Sequence, residues 1–170
     1  MKKKKEVKPH PKRGLQVAII IGVAIIAVVI LVNYNLDQAN LSGQRFGDSL
    51  SAIQSDLKNE TIGFDANLTM YEKGQISKEQ MLNITDAHIA KMQTIIPRYD
   101  ALSPPEPFSA SLQLFRLSTQ TQIESDNLLK EWIQTGDNST RAKSDQLLQQ
   151  SFQYEMSALQ SFHNAKSGNS

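Results

Sequence analysis

The sequence predicts an all-α protein: one N-terminal transmembrane helix, then an extracytoplasmic antiparallel bundle of about four helices. Three observations predict it. Residues 15–32 (LQVAIIIGVAIIAVVILV) form an uninterrupted run of 18 residues without a charge. The polar chain beyond carries apolar residues at steps of three, four and seven, which is helix periodicity, and holds no useful length of strand-like alternation. Its helical stretches are parted by turn signals at Gly74, Ser103–Pro107 and Gly136–Ser139, and short connections favour antiparallel neighbours.

The apolar run comes first. At a rise of about 1.5 Å per residue it covers roughly 27 Å, near the thickness of a bilayer's hydrocarbon core. It has no polar face of the kind that a surface helix of a soluble domain shows. The preceding MKKKKEVKPHPKR holds seven Lys/Arg and one Glu, a local charge near +6 within a chain whose net charge is +1. That asymmetry places the N-terminus in the cytoplasm and the rest outside. Pro9 and Pro11 keep the helix from continuing inward. No small-x-small cleavage site follows Val32 and the chain has no cysteine, so an uncleaved signal-anchor is expected rather than a cleaved signal peptide or a lipoprotein. Lys12-Arg13-Gly14 also looks like a prepilin cleavage site, which offers a different reading as a pilin-like filament subunit processed after Gly14. Gly14, Ala18 and Gly22 stand four apart, a spacing that lets membrane helices pack closely. The expected organisation is a basic cytoplasmic tail (1–13), a membrane helix (14–34), a helical bundle (35–166) and a disordered tail (167–170).

The outer region opens with a long helix over residues 36–73, whose apolar positions are Phe46, Leu50, Ile53, Leu57, Phe64, Leu68 and Tyr71. Gly43, Gly47 and Gly63 weaken it locally, and Gly74 is a natural C-cap. Whether this segment packs with the bundle or stands apart as a stalk stays open. Ser77-Lys78-Glu79-Gln80 reads as a capping box opening a second helix over 78–102, with Leu82, Ile89 and Ile96 in one row and Thr85, Met92 and Tyr99 in the next, a heptad-like seam of the coiled-coil kind. Pro97 should kink or end that helix. Three prolines within 104–107 then break the chain.

A third helix is expected over 105–135, with Phe108, Leu112, Phe115, Ile123, Leu129 and Ile133 marking its apolar face. Its middle, STQTQIESDN, has one apolar residue. The fourth is expected over 139–164, its core row Leu148, Phe152, Met156, Leu159 and Phe162, before a frayed AKSGNS end.

The outline of one anchor, a helical pair, the break Leu102-Ser103-Pro104-Pro105 and a second pair split by Thr135-Gly136-Asp137 resembles uncharacterised small membrane-anchored helical-bundle proteins of ammonia-oxidising archaea. It is also similar to the periplasmic four-helix ligand-binding domain of bacterial chemoreceptors. That domain is followed by a second membrane helix, and no later stretch of these residues reads as one, so a transducer role is not expected to carry over. Neither resemblance transfers a functional residue.

The chain lacks the usual chemistry-bearing motifs. Absence of cysteine excludes disulfides, thiolate metal sites and cysteine nucleophiles. The three histidines, His10, His88 and His163, have no ligand spacing, and Asp86 and His88 point to different helix faces, so no metal is expected. The acidic residues are expected at solvent positions, with no carboxylate pair for acid–base work. There is no phosphate loop or dinucleotide fingerprint, so no cofactor is expected. The basic tail lacks interleaved aromatics, which excludes nucleic acid as the expected partner and leaves anionic lipid.

One ligand-facing candidate remains. Thr119, Gln122 and Asp126 share a face of the third helix, which in a four-helix bundle points inward and could hydrogen-bond a small molecule. The simpler expectation is that the helix rolls there and the three groups meet water. Five Asn-x-Ser/Thr tripeptides, at Asn40, Asn59, Asn67, Asn83 and Asn138, are N-glycosylation candidates on the outer side. The expected function is a non-catalytic interaction or accessory module that meets a membrane or cell-surface protein or another copy of itself. A small-molecule-binding sensor bundle signalling through a partner is the rival from another class.

Overall fold

The computed structural model describes residues 41–167. Within them stand four α-helices: α1 (Leu41–Glu72), α2 (Lys78–Asp100), α3 (Ser109–Thr135) and α4 (Asn138–Ser167), with one 3-10 turn, Glu106–Phe108, before α3. No strand occurs among the described residues. The basic tail, the apolar run with Gly14, Ala18 and Gly22, and Asn40 lie outside them. Among the described residues no helix is long and apolar enough to cross a membrane.

Local chemistry sets the helix ends. Gly74 and Gly136 take the left-handed conformation at φ 71° and 75°, which only glycine adopts without strain, and so stop α1 and α3. Ser77 Oγ accepts from the Gln80 amide while the Gln80 side chain accepts from the Ser77 amide, the reciprocal capping box expected at the start of α2. Asp137 caps α4 by accepting from the Ser139 amide and hydroxyl and the Thr140 hydroxyl, bonds that hold its carboxyl below the usual range.

Four boundaries differ from expectation. α2 continues three residues past Pro97 and ends at Asp100, where the Ala101 amide bonds the Pro97 carbonyl, so the proline ends the helix within a turn. Pro105 does not start α3; the prolines occupy a connector and the 3-10 turn, and α3 proper begins at Ser109. α4 begins one residue early, at Asn138. It also runs through Ser167, whose hydroxyl bonds the His163 carbonyl, so residues 165–167 are helical rather than frayed.

The helices alternate in direction. Arg98–Asp56 and Lys91–Glu60 link α1 to α2 in opposite orders along the two chains. Arg116–Asp100 and Lys130–Asp86 do the same for α2 and α3. These exposed pairs contribute little individually, but they report the register. α1 therefore belongs to the bundle and is not a detached stalk.

Two apolar clusters fill the interior. The larger holds Phe46, Leu50, Ile53, Leu57, Met92, Ile95, Tyr99, Phe108, Leu112, Phe115, Ala158, Leu159 and Phe162. The smaller, toward the 74–77 and 136–137 turns, holds Phe64, Leu68, Met81, Leu129 and Ile133. The expected α1 row is buried apart from a half-buried Tyr71. On α2 the Thr85–Met92–Tyr99 row is central with Met81, His88 and Ile95, while Leu82 and Ile96 lie at its flank. On α4 the expected row is wrong at Met156, which is 44 % exposed, and the buried position beside it is Glu155.

Candidate functional site: a buried polar belt

Between the two apolar clusters lies a layer of buried polar side chains. Thr61 of α1, Thr85 and His88 of α2, Ser118, Thr119, Gln122, Ser125 and Asp126 of α3, and Ser144, Ser151 and Glu155 of α4 are all buried, and Gln54 is 1 % exposed. Buried polar groups cost free energy unless they are hydrogen-bonded, so their partners decide what the belt is.

Four linkages cross it. Gln54 Nε2 donates to the Tyr99 hydroxyl at 2.8 Å, and that hydroxyl lies 3.1 Å from Thr119 Oγ1, joining α1, α2 and α3. Burial raises the Tyr99 phenol far above its ordinary value, with Thr119 opposing, so Tyr99 stays a neutral donor. Gln122 Nε2 donates to Thr61 Oγ1 at 3.1 Å, joining α3 to α1. His88, stacked on Phe64 with ring centroids 4.0 Å apart, places Nε2 3.2 Å from Asp126 Oδ2 and Nδ1 3.4 Å from Glu60 Oε1. Both ring nitrogens thus face a carboxyl oxygen, one on α3 and one on α1. Glu60 also accepts from Lys91 at 3.1 Å.

The fourth linkage is a serine seam between α3 and α4. Ser118 and Ser151 each donate their hydroxyl to the other's backbone carbonyl, both at 2.9 Å. Ser125 and Ser144 repeat the exchange at 2.7 and 2.9 Å. A side chain this short reaches a carbonyl on another helix only when the two backbones approach closely. Continuing the register by one heptad sets Ser111 opposite Ala158, both fully buried. Ser118→Leu is expected to force the helices apart and cost roughly 1–3 kcal/mol, whereas Ser118→Ala costs about 1 kcal/mol or less. Urea unfolding followed by circular dichroism measures both. Equal midpoints for the leucine variant and the parent would show that the seam is not closely packed.

The three residues singled out by spacing all sit in this belt. Thr119, Gln122 and Asp126 are 0, 7 and 4 % exposed, so they do not meet water, and each is held by another side chain of the protein. Nor are all acidic residues at solvent positions: Asp126 and Glu155 are buried. Burial pushes the Glu155 carboxyl up to about 7. Asp86 is exposed and paired with Lys130, on a different face from His88 as the spacing implied. Among the described residues no group of three or more His, Asp or Glu side chains is placed to hold a metal ion.

Sequence reasoning missed His88, Glu155 and the serines. A signal for the last was present: Ser111, Ser118 and Ser125 repeat at seven residues, as do Ser144, Ser151 and Ala158. Of the sequon asparagines, Asn59, Asn83 and Asn138 are exposed and Asn67 is half-buried, its Nδ2 donating to the Gly63 carbonyl. No family model, curated protein or solved structure matches the chain.

Proposed function

We propose that the chain is a single-pass membrane protein with a cytoplasmic N-terminus, whose four-helix bundle stands outside the membrane as a non-catalytic interaction or accessory module. The observation that carries this reading is the uncharged run 15–32 with seven Lys/Arg before it. The interior of the bundle supports the second half. Thr119, Gln122 and Asp126 are occupied by Tyr99, Thr61 and His88. With these three groups bonded within the protein, the bundle meets a partner through its outside, and that partner is a membrane or cell-surface protein or a second copy.

Protease treatment of intact cells tests the topology. With a tag at each end, the C-terminal tag is expected to be lost and the N-terminal tag kept, and the chain is expected to stay with membranes through alkaline carbonate extraction. A C-terminal tag untouched on intact cells, or release into the carbonate supernatant, would overturn the proposal.

A further inference from the structure

Glu155 is a buried carboxyl that the belt leaves alone. It is 7 % exposed and makes no hydrogen bond or ion pair with any described residue, although every other inward ionisable group of the belt has a partner. Its place in the fold gives this a consequence. Arg141, Leu148, Glu155 and Phe162 recur at seven residues on α4. Arg141 bonds Glu72 of α1, and Phe162 packs on Phe108, which packs on Phe46 of α1. That row therefore faces α1. Yet among the described residues α1 and α4 nowhere bring their Cα atoms within 8 Å, whereas the serine seam on the other side of α4 is tight. Side chains alone close the α1–α4 gap, and Glu155 stands in the middle of the row that closes it.

We propose that Glu155 is a proton-operated latch: with its carboxyl protonated α4 stays closed against α1, and with its carboxyl ionised this seam opens while the α3–α4 pair remains intact.

The surroundings favour this over a simple ion pair. From α4 it acts electrostatically on the Tyr99 phenol of α2, and Arg98, which also acts on that phenol, is tied to Asp56. Gln54 of α1 and Thr119 of α3, the groups bonded to that phenol, are neutral. The carboxylates of α1 and α3 at the belt, Glu60 and Asp126, are engaged by Lys91 and His88. On α4 itself Arg141 is held by Glu72 and Asp145. No cation in these sets is free to neutralise an ionised Glu155, so water must do it, and the α1–α4 side, where no Cα pair comes within 8 Å, gives it entry. The sign follows from the raised pKa. The closed form is favoured below the ordinary glutamate value, and that advantage is lost as pH rises through about 7.

Hydrogen exchange of the full-length protein in nanodiscs, corrected for intrinsic rates, tests the latch. Between pH 5.5 and 8 the opening equilibrium of residues 50–61 and 148–162 is expected to rise roughly 30-fold, with the centre of α3 unchanged. Glu155→Gln, a neutral mimic of the acid, is expected to abolish the rise. Glu155→Met serves the same purpose should the glutamine variant fold poorly. Exchange that is flat with pH in the parent would overturn the proposal. So would a rise that persists in both variants, or one shared equally by all four helices.

Discussion

Asp126→Ala is expected to destabilise the bundle by roughly 1–3 kcal/mol, the range for leaving a buried polar group without its partner. His88 is 2 % exposed and its ring is committed on both edges. The two edges are not equal. Asp126 is nearer, at 3.2 Å, and 4 % exposed. Glu60 is 3.4 Å away, with its side chain 23 % exposed and shared with Lys91. Removing Asp126 thus takes away the more deeply buried partner and leaves a ring nitrogen facing the interior unpaired. The companion test is His88→Leu with Asp126→Leu. Replacing both polar groups by apolar side chains is expected to recover most of the loss, because a buried pair is costly to break but not costly to exchange for good packing. Urea unfolding of the parent, each single variant and the double completes the cycle. A loss below about 1 kcal/mol for Asp126→Ala would mean that the pair is no part of the fold's stability.

The same contrast explains what could be read in the sequence. Helix ends are local: Gly74, the Ser77–Gln80 box, the prolines at 104–107 and Gly136 act through their own backbone and near neighbours, and each lies at or beside a break. The α1 row was legible because its burial follows from side-chain hydrophobicity alone. Burial of a polar residue follows from a partner on another helix, which single-helix periodicity does not contain. The burial of His88 and Glu155 was therefore not legible, the serines showed only as a seven-residue repeat, and Thr119, Gln122 and Asp126 could be placed on one face without its neighbours being known. The misplaced Met156 has the same origin. Weighting α4 by hydrophobicity turns Phe152 and Met156 inward, whereas the close seam with α3 is made by Ser144, Ser151 and Ala158, which rolls the helix and leaves Met156 outside.

Phe162→Ala is expected to cost roughly 3–5 kcal/mol, the range for a buried aromatic cut to alanine. Phe162 is fully buried, with its ring centroid 4.9 Å from that of Phe108, which lies 5.8 Å from Phe46. The three rings join the end of α4, the 3-10 turn and the start of α1, segments far apart along the chain. The loss should therefore be more than a cavity. Since no Cα of α1 lies within 8 Å of a Cα of α4, that end of the seam depends on aromatic bulk, while the far end depends on the Arg141–Glu72 bond. Met156→Ala on the exposed side of the same helix is the control, with an expected change within about 0.5 kcal/mol. If aromatic bulk closes the seam, Phe162→Leu should recover part of the stability and Phe162→Ala should raise exchange first at residues 46–53 and 158–165. Uniform loss of protection across all four helices would instead make Phe162 an ordinary core residue with no special hold on α1.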